Sequence, residues 1–225
     1  MDTYKYYVGV DLGEVQDYSA VSVIERQINW REDRGVFLSD YYVRELIRFP
    51  KRTQYPQIVD KIKLIFENPY INTYGELIVD QTGVGRPVIE MMEREGLKPF
   101  GITITGGNTV VKTVDGCNVP KNNIVSAFLI LAQSAQVHVA SDLKLAKDFQ
   151  REMEAFTVKI NKKTGNQIYE GEGTHDDLVI SVALPLWYAH EYDIQMQTVD
   201  RLTDDYDVDE KRNIEEYDPL TWGLG

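Results

Sequence analysis

Apolar positions along the chain alternate between two periods, and the switches mark out its elements. Residues 5–12 and 19–28 are apolar runs that read as strands, joined by the turn Gly13-Glu14-Val15-Gln16-Asp17-Tyr18. Around 35–48, Val36, Leu38, Tyr41, Val43 and Leu46 mix with polar residues and predict a third strand, completing an antiparallel meander. Residues 55–67 change to helical period through Ile58, Ile62, Ile65 and Phe66. A short buried strand is expected at 76–80. A helix then runs from about Pro87 through Glu95 and is closed by Gly96, with proline first and glycine last. Residues 100–104 predict a strand, and the Gly- and Thr-rich stretch 105–120 a loop. Next come an amphipathic helix from Asn122 to Ser134, a short strand at Val137-His138-Val139, and a helix from Leu143 to Glu154. Phe156–Ile160 and Gln167–Glu170 flank Asn161-Lys162-Lys163-Thr164-Gly165-Asn166 and predict a hairpin with a basic tip. The last helix is expected from Thr174 to Tyr192, interrupted by Pro185.

A meander followed by alternating strands and helices predicts an α/β fold, a mixed central sheet with helices on both faces. Beyond Asp193 the chain is acidic and poor in aliphatic residues. Residues 1–192 are therefore expected to form the folded domain and 193–225 a loosely attached acidic tail. The 225 residues are 43% hydrophobic, enough for a proper core. A single cysteine, Cys117, excludes an intrachain disulfide and fits a reducing compartment. No apolar stretch reaches membrane-spanning length and no signal peptide is visible, so no membrane role is expected. The net charge of −12 argues against a broad nucleic-acid-binding face. The segment from Asp193 holds ten acids and three bases, so the remainder carries only about −5. Any grip on DNA is expected to be local, weak and strongly salt-dependent.

Candidate chemistry lies in three carboxylate-bearing segments. Tyr7-Val8-Gly9-Val10-Asp11-Leu12-Gly13 and Glu76-Leu77-Ile78-Val79-Asp80-Gln81-Thr82-Gly83 are apolar runs ending in an acid. Gly173-Thr174-His175-Asp176-Asp177-Leu178-Val179 places two acids at the opening of an apolar helix. Each has a plain structural reading: Asp11 as a turn former, Asp80 as a helix N-cap, and Asp176 and Asp177 as first-turn acids facing a helix dipole. Adjacent acids cannot face the same way on a helix, so one is expected to cap or face solvent and the other to point at the sheet. A buried carboxylate without a partner is costly, and no Lys or Arg stands beside these acids in the sequence. Three such acids together point to a divalent cation. Mg²⁺ and Mn²⁺ prefer oxygen ligands, and two ions about 4 Å apart can drive phosphodiester hydrolysis. His175 is placed to carry a proton, to position water or phosphate, or to cap the helix.

Gly-Val-Asp-Leu-Gly, Val-Asp-Gln-Thr-Gly-Val-Gly and Thr-His-Asp-Asp-Leu-Val, in this order, resemble the nuclease domain of phage large terminase subunits, within the RNase H-like, resolvase-type superfamily. The resemblance covers roughly residues 5–190, including the Pro120-Lys121-Asn122 helix entry. It implies an RNase H-like fold and a Mg²⁺- or Mn²⁺-dependent DNA endonuclease, using two ions and having little sequence preference, that cuts concatemeric viral DNA during packaging. Asp11 and Asp80 would be metal ligands, with the third drawn from Asp177 or Asp176. Some relatives carry a further Asp one turn later, where this chain has Ser181. The implied partners are double-stranded DNA, the terminase ATPase domain, the small terminase subunit and the portal protein, in the host cytoplasm. No Gly-x-x-x-x-Gly-Lys-Ser/Thr motif is present, so the likeness is to the nuclease part alone.

Lys162 and Lys163 on the hairpin tip and Arg86 after the Asp80 loop are the candidate DNA contacts, with Lys51, Arg52 and Lys112 weaker. Backbone amides of Gly83–Gly85 offer a further phosphate contact. The competing readings are a Holliday-junction resolvase or transposase, an actin- or sugar-kinase-like ATPase suggested by Gly9-Val10-Asp11-Leu12-Gly13, and a non-catalytic packaging scaffold.

Overall fold

The computed structural model describes residues 4–13, 17–33, 35–83, 86–114, 116–160, 167–171 and 175–200; side chains are described for these except in 156–160, 167–171 and 192–200. An eight-stranded sheet organises the molecule. In chain order its strands are β1 (Tyr4–Asp11), β2 (Ser19–Arg31), β3 (Val36–Phe49), β4 (Gly75–Asp80), β5 (Pro99–Thr105), β6 (Val111–Thr113), β7 (Gly116–Pro120) and β8 (Val137–Val139). Their order across the sheet is β6-β7-β5-β4-β1-β2-β3-β8. β1, β2 and β3 pair antiparallel, β4 lies parallel to β1, and β5 and β7 continue the parallel half. This is the expected mixed sheet. The chain divides at Glu191/Tyr192. Beyond Asp200 the expected acidic segment lies outside the described residues.

Two helical layers cover the sheet. On one face Tyr6, Val8, Val10, Leu77 and Val79 pack under α1 (Tyr55–Phe66), α2 (Pro69–Tyr74) and α3 (Arg86–Arg94). On the other, Tyr7, Ile78, Ile102 and Val119 pack under α4 (Lys121–Gln133), α5 (Ala146–Ala155) and α6 (Asp177–Asp200). Strand alternation decides which face receives the acids. Asp11 shares the parity of Tyr7, and Asp80 that of Ile78, so both belong to the α4–α6 face.

Two expectations are corrected, and one helix appears where the sequence pattern made no prediction. The 105–120 stretch is not a loop: it contains β6 and β7, which extend the sheet to its edge. Its Gly and Thr content misleads because Gly116 is needed by the sheet itself. A Cβ at Gly116 would stand 1.8 Å from the Gly101 carbonyl oxygen. Pro69–Tyr74, which shows no helical period, forms the short helix α2, begun by Asn68, whose side chain accepts from the Tyr70 and Ile71 N–H groups. Pro185 does not interrupt the last helix. A proline leaves the carbonyl four residues earlier without its intrahelical donor. Here that carbonyl, on Ser181, accepts from the buried Ser22 hydroxyl at 2.7 Å. Ser22 is the register partner of Gly9, and a Cβ on Gly9 would fall 2.0 Å from the same Ser181 oxygen and 2.6 Å from the proline ring. Gly9, Ser22 and Pro185 thus let α6 lie directly on β1. The two-stranded sheet β9 (Phe156–Ile160) and β10 (Gln167–Gly171) matches the expected hairpin, whose basic tip lies outside the described residues.

Candidate active site

Asp11 and Asp80 end neighbouring parallel strands and are direct register partners. Parallel register with shared parity sets their side chains side by side on one face, at the strand spacing of about 4.8 Å. Neither acid is spent on the role its local sequence suggests. The turn after Asp11 is held by the Ser19 hydroxyl, which accepts from the Gly13 N–H at 3.1 Å, and by the Tyr55 hydroxyl donating to the Gly13 carbonyl. Asp80 does not cap α3, which begins six residues later; its Oδ1 accepts from the Thr82 N–H at 2.8 Å. The following residues brace the strand end. The Thr82 hydroxyl accepts from the Ile104 N–H, and the Gln81 amide donates to Thr103. A Cβ on Gly101 would meet the Gln81 side chain at 2.7 Å. The Asp-Gln-Thr-Gly segment therefore fixes the Asp80 carboxylate at the strand end.

The opening of α6 brings the second pair of acids. The Ile180 N–H donates to the Asp176 carbonyl, which makes Asp176 the N-cap residue and Asp177 the first helical one. Asp176 Oδ2 accepts from Lys121 Nζ at 2.9 Å. Asp177 Oδ2 is buried and has no hydrogen-bond partner; Arg48 Nε and His175 Nδ1 each stand 4.0 Å away. His175 is partly exposed and packs edge-on against Tyr18, with ring centroids 4.7 Å apart. Lys51 and Arg48 lie over the same Tyr18 ring.

Electrostatics bind these groups into one site. Burial, followed by the charges of Asp80, Asp177 and Asp176, pushes the Asp11 carboxyl well above its ordinary value, against a smaller opposing pull from Lys121. Asp11 retains some exposed surface, but protein crowds it closely, and the crowding governs its charge. Burial raises Asp80 to about 6 despite the Thr82 hydrogen bonds and Lys121. Burial also raises Asp177, while Arg48 and His175 pull it down. Four carboxylates thus gather with too little positive charge, and one buried oxygen is orphaned. Oxygen-only donors with a charge deficit fit hard divalent cations. Among the described residues the acids are not closed into a three-ligand cage, so a cation would draw them inward.

The structure thus brings together Asp11, Asp80, Asp176, Asp177 and His175, which the sequence singled out. It places Arg86 at the start of α3, half exposed, with Nε 3.7 Å from Glu90. Lys162 and Lys163 lie outside the described residues, as does most of the Gly83–Gly85 loop. Sequence reasoning missed Lys121, Arg48, Tyr18 and Glu152. The expectation that no cation stands beside the acids holds along the chain but fails in space. Lys121 was signalled by the helix entry it belongs to; Arg48 and Glu152 carry no local signal.

No protein-family model matches the chain. Over 180 residues it is 26% identical to the large terminase subunit of Thermus virus P23-45 and, equally, to that of Thermus phage G20c. The match takes in 80% of this chain but 30% of each relative, so the chain spans under a third of their length. The crystal structure of the G20c large terminase nuclease with bound magnesium superposes with a TM-score of 0.56 at 25% identity, covering 83% of this chain and 82% of that one. The chain has the fold of a large terminase nuclease domain. A second structure with the same RNase H-like fold is the g2p large terminase nuclease domain of bacteriophage SPP1 with bound Mn, at a TM-score of 0.50 and 15% identity over 84% of this chain and 86% of that one. What it shares with this chain is the fold.

Proposed function

We propose that the chain is a Mg²⁺- or Mn²⁺-dependent DNA endonuclease that cuts concatemeric viral DNA during genome packaging. The observation that carries this reading is the register pair Asp11–Asp80 beneath the helix opening that supplies Asp177, whose buried Oδ2 lacks a hydrogen-bond partner. Likeness to nuclease domains solved with magnesium and manganese supports it. Asp11, Asp80 and Asp177 would hold the ions, two by this reading, with Asp176 adjoining. When bound, the ions supply charge neutralisation at the scissile phosphate and an activated water.

The chain's own residues prepare that site. Thr82 orients Asp80, Lys121 anchors Asp176, and Arg48 and His175 offset part of the charge on Asp177. His175 at the rim suits proton transfer to or from solvent. Lys162, Lys163 and Arg86 are assigned to phosphate contacts, together with Lys51, one of the weaker sequence candidates, which lies beside Tyr18 on the site rim. None of these is a base-reading element, so cleavage has little sequence preference. Double-stranded DNA is the substrate, and the ATPase domain, small terminase subunit and portal protein are the partners in the host cytoplasm. We assign the nuclease to residues 1–192 and treat 193–225 as an acidic appendage. With an acidic body, the domain is a weak nuclease until DNA is delivered to it.

The test is cleavage of supercoiled and linear plasmid with Mn²⁺, Mg²⁺ or EDTA. Cutting that requires metal and disappears with Asp80→Asn supports the reading. Absence of cutting with either metal at high protein concentration overturns it.

A further inference from the structure

We propose that Glu152 is a positioning residue: it caps α6 from another helix and so leaves both aspartates at the α6 opening available to a cation. The inference rests on the reading of those aspartates as cation ligands.

The first N–H groups of a helix have no intrahelical acceptor, and an Asp at the N-cap ordinarily satisfies those of the second and third helical residues with its own side chain. Asp176 occupies that position, and those two residues are Leu178 and Val179. Both N–H groups instead donate to Glu152 Oε2, at 3.0 and 3.4 Å. Glu152 lies 26 residues back, on α5, and is 5% exposed. Its other oxygen pairs with Arg48, whose Nε stands 4.0 Å from Asp177. A carboxylate this buried needs charge-assisted partners, and the helix opening together with Arg48 provides them.

The consequence falls on the site. An Asp that caps its own helix has its oxygens turned toward backbone N–H groups. With that duty taken by Glu152, Asp176 reaches Lys121 and Asp177 keeps a buried oxygen without a hydrogen bond. Without Glu152, the Asp176 carboxylate is the nearest replacement acceptor, and capping withdraws it from the cluster. Arg48, having lost its partner, then has Asp177 as its nearest acid.

Two measurements test this. The first uses metal-free protein and follows the denaturation midpoint. Asp176→Ala is expected to shift the midpoint little in the wild-type background and clearly downward in Glu152→Ala, because only there does Asp176 cap. Equal shifts in both backgrounds overturn the proposal. The second is Mn²⁺ binding by calorimetry. Glu152→Ala is expected to weaken binding by about tenfold or more, the usual size for a residue that orients ligands. Val59→Ala, a core truncation on the opposite face, is expected to leave it unchanged. Unchanged affinity in Glu152→Ala overturns the proposal. Should Glu152→Ala fail to fold, Glu152→Gln carries both tests, with the same directions at smaller size. If the wild type binds no Mn²⁺, the cation-site reading fails, while the metal-free comparison still reports whether Glu152 does the capping.

Discussion

Two groups of buried acids in this fold are handled in opposite ways. Asp40, on β3, is 1% exposed and surrounded by donors. Arg31 Nη2 reaches both of its oxygens at 2.5 and 2.6 Å, Asn29 Nδ2 donates at 2.7 Å, and His138 Nε2 lies at 3.0 Å while stacking on Tyr42. Asp80 and Asp177 are buried too and Asp11 partly so, yet these three face one another and share Lys121 and Arg48 between them. The Asp40 group is a closed structural knot. The other group has a deficit of positive charge built into the ends of rigid strands. Burial of a carboxylate therefore does not identify a site in this protein; leaving it uncompensated does.

The largest expected effect lies at the uncompensated group. Asp80→Asn is expected to lower metal-dependent cleavage by about 10³-fold or more, since charge stabilisation by a held cation is worth several kcal/mol. Initial rates on supercoiled plasmid measure it. A loss smaller than tenfold would remove Asp80 from the machinery and leave the contrast without chemical meaning.

The same substitution made at both places should then give stability changes of opposite sign. Asp40→Asn breaks a satisfied ion pair and is expected to cost about 2 kcal/mol, reduced from the value for a fully buried pair because Arg31 is 35% exposed. Asp80→Asn removes a charge that burial disfavours, and metal-free protein at pH 7.5 is expected to gain about 1 kcal/mol. Denaturant unfolding in EDTA reads both. Destabilisation by Asp80→Asn would mean that its charge is already compensated.

A pH series sharpens the same point. Asp80 holds its proton up to about pH 6 when folded but only to its ordinary value of 3.8 when unfolded. Between these values the native state binds more protons. Its contribution to metal-free stability is present at pH 3.8 and is lost as pH rises to about 6. Asp80→Asn should flatten this slope. Mn²⁺ must displace the same proton, so affinity should fall steeply below about pH 6. Affinity that is level from pH 5 to 8 would contradict the raised value.

The sequence made the sheet legible because alternation and apolar runs determine strand parity, and parity alone puts Asp11 and Asp80 on one face. It also brought out the Asp176–Asp177 opening. It could not show that Lys121 and Arg48 come to the acids, or that His138 meets Asp40 across 98 residues, because those contacts join elements far apart in the chain. Nor could local rules identify the α6 cap. They predict that Asp176 serves itself, whereas tertiary packing supplies Glu152. Gly116 and Pro185 misled for the same reason. Each looks like a break in structure, but Gly116 is required by the neighbouring strand, and Pro185 is accommodated by Gly9 and Ser22.

The smallest effect concerns a satisfied group that holds the site in place. Ser22→Ala removes the donor to the Ser181 carbonyl and leaves a buried acceptor unpaired, at a cost of about 1 kcal/mol or somewhat more. The cost exists because Pro185 has no N–H to offer that carbonyl. Pro185→Ala supplies one, and in that background Ser22→Ala should cost less, since Ser181 regains its intrahelical partner. Denaturant midpoints of the four proteins give the coupling directly. Additive effects would mean that the hydroxyl and the missing N–H are unrelated, and that α6 rests on β1 through the Gly9 contact alone. Coupling of about 1 kcal/mol would establish that the sheet compensates for a helix fault, two residues below the strand end where Asp11 meets Asp80.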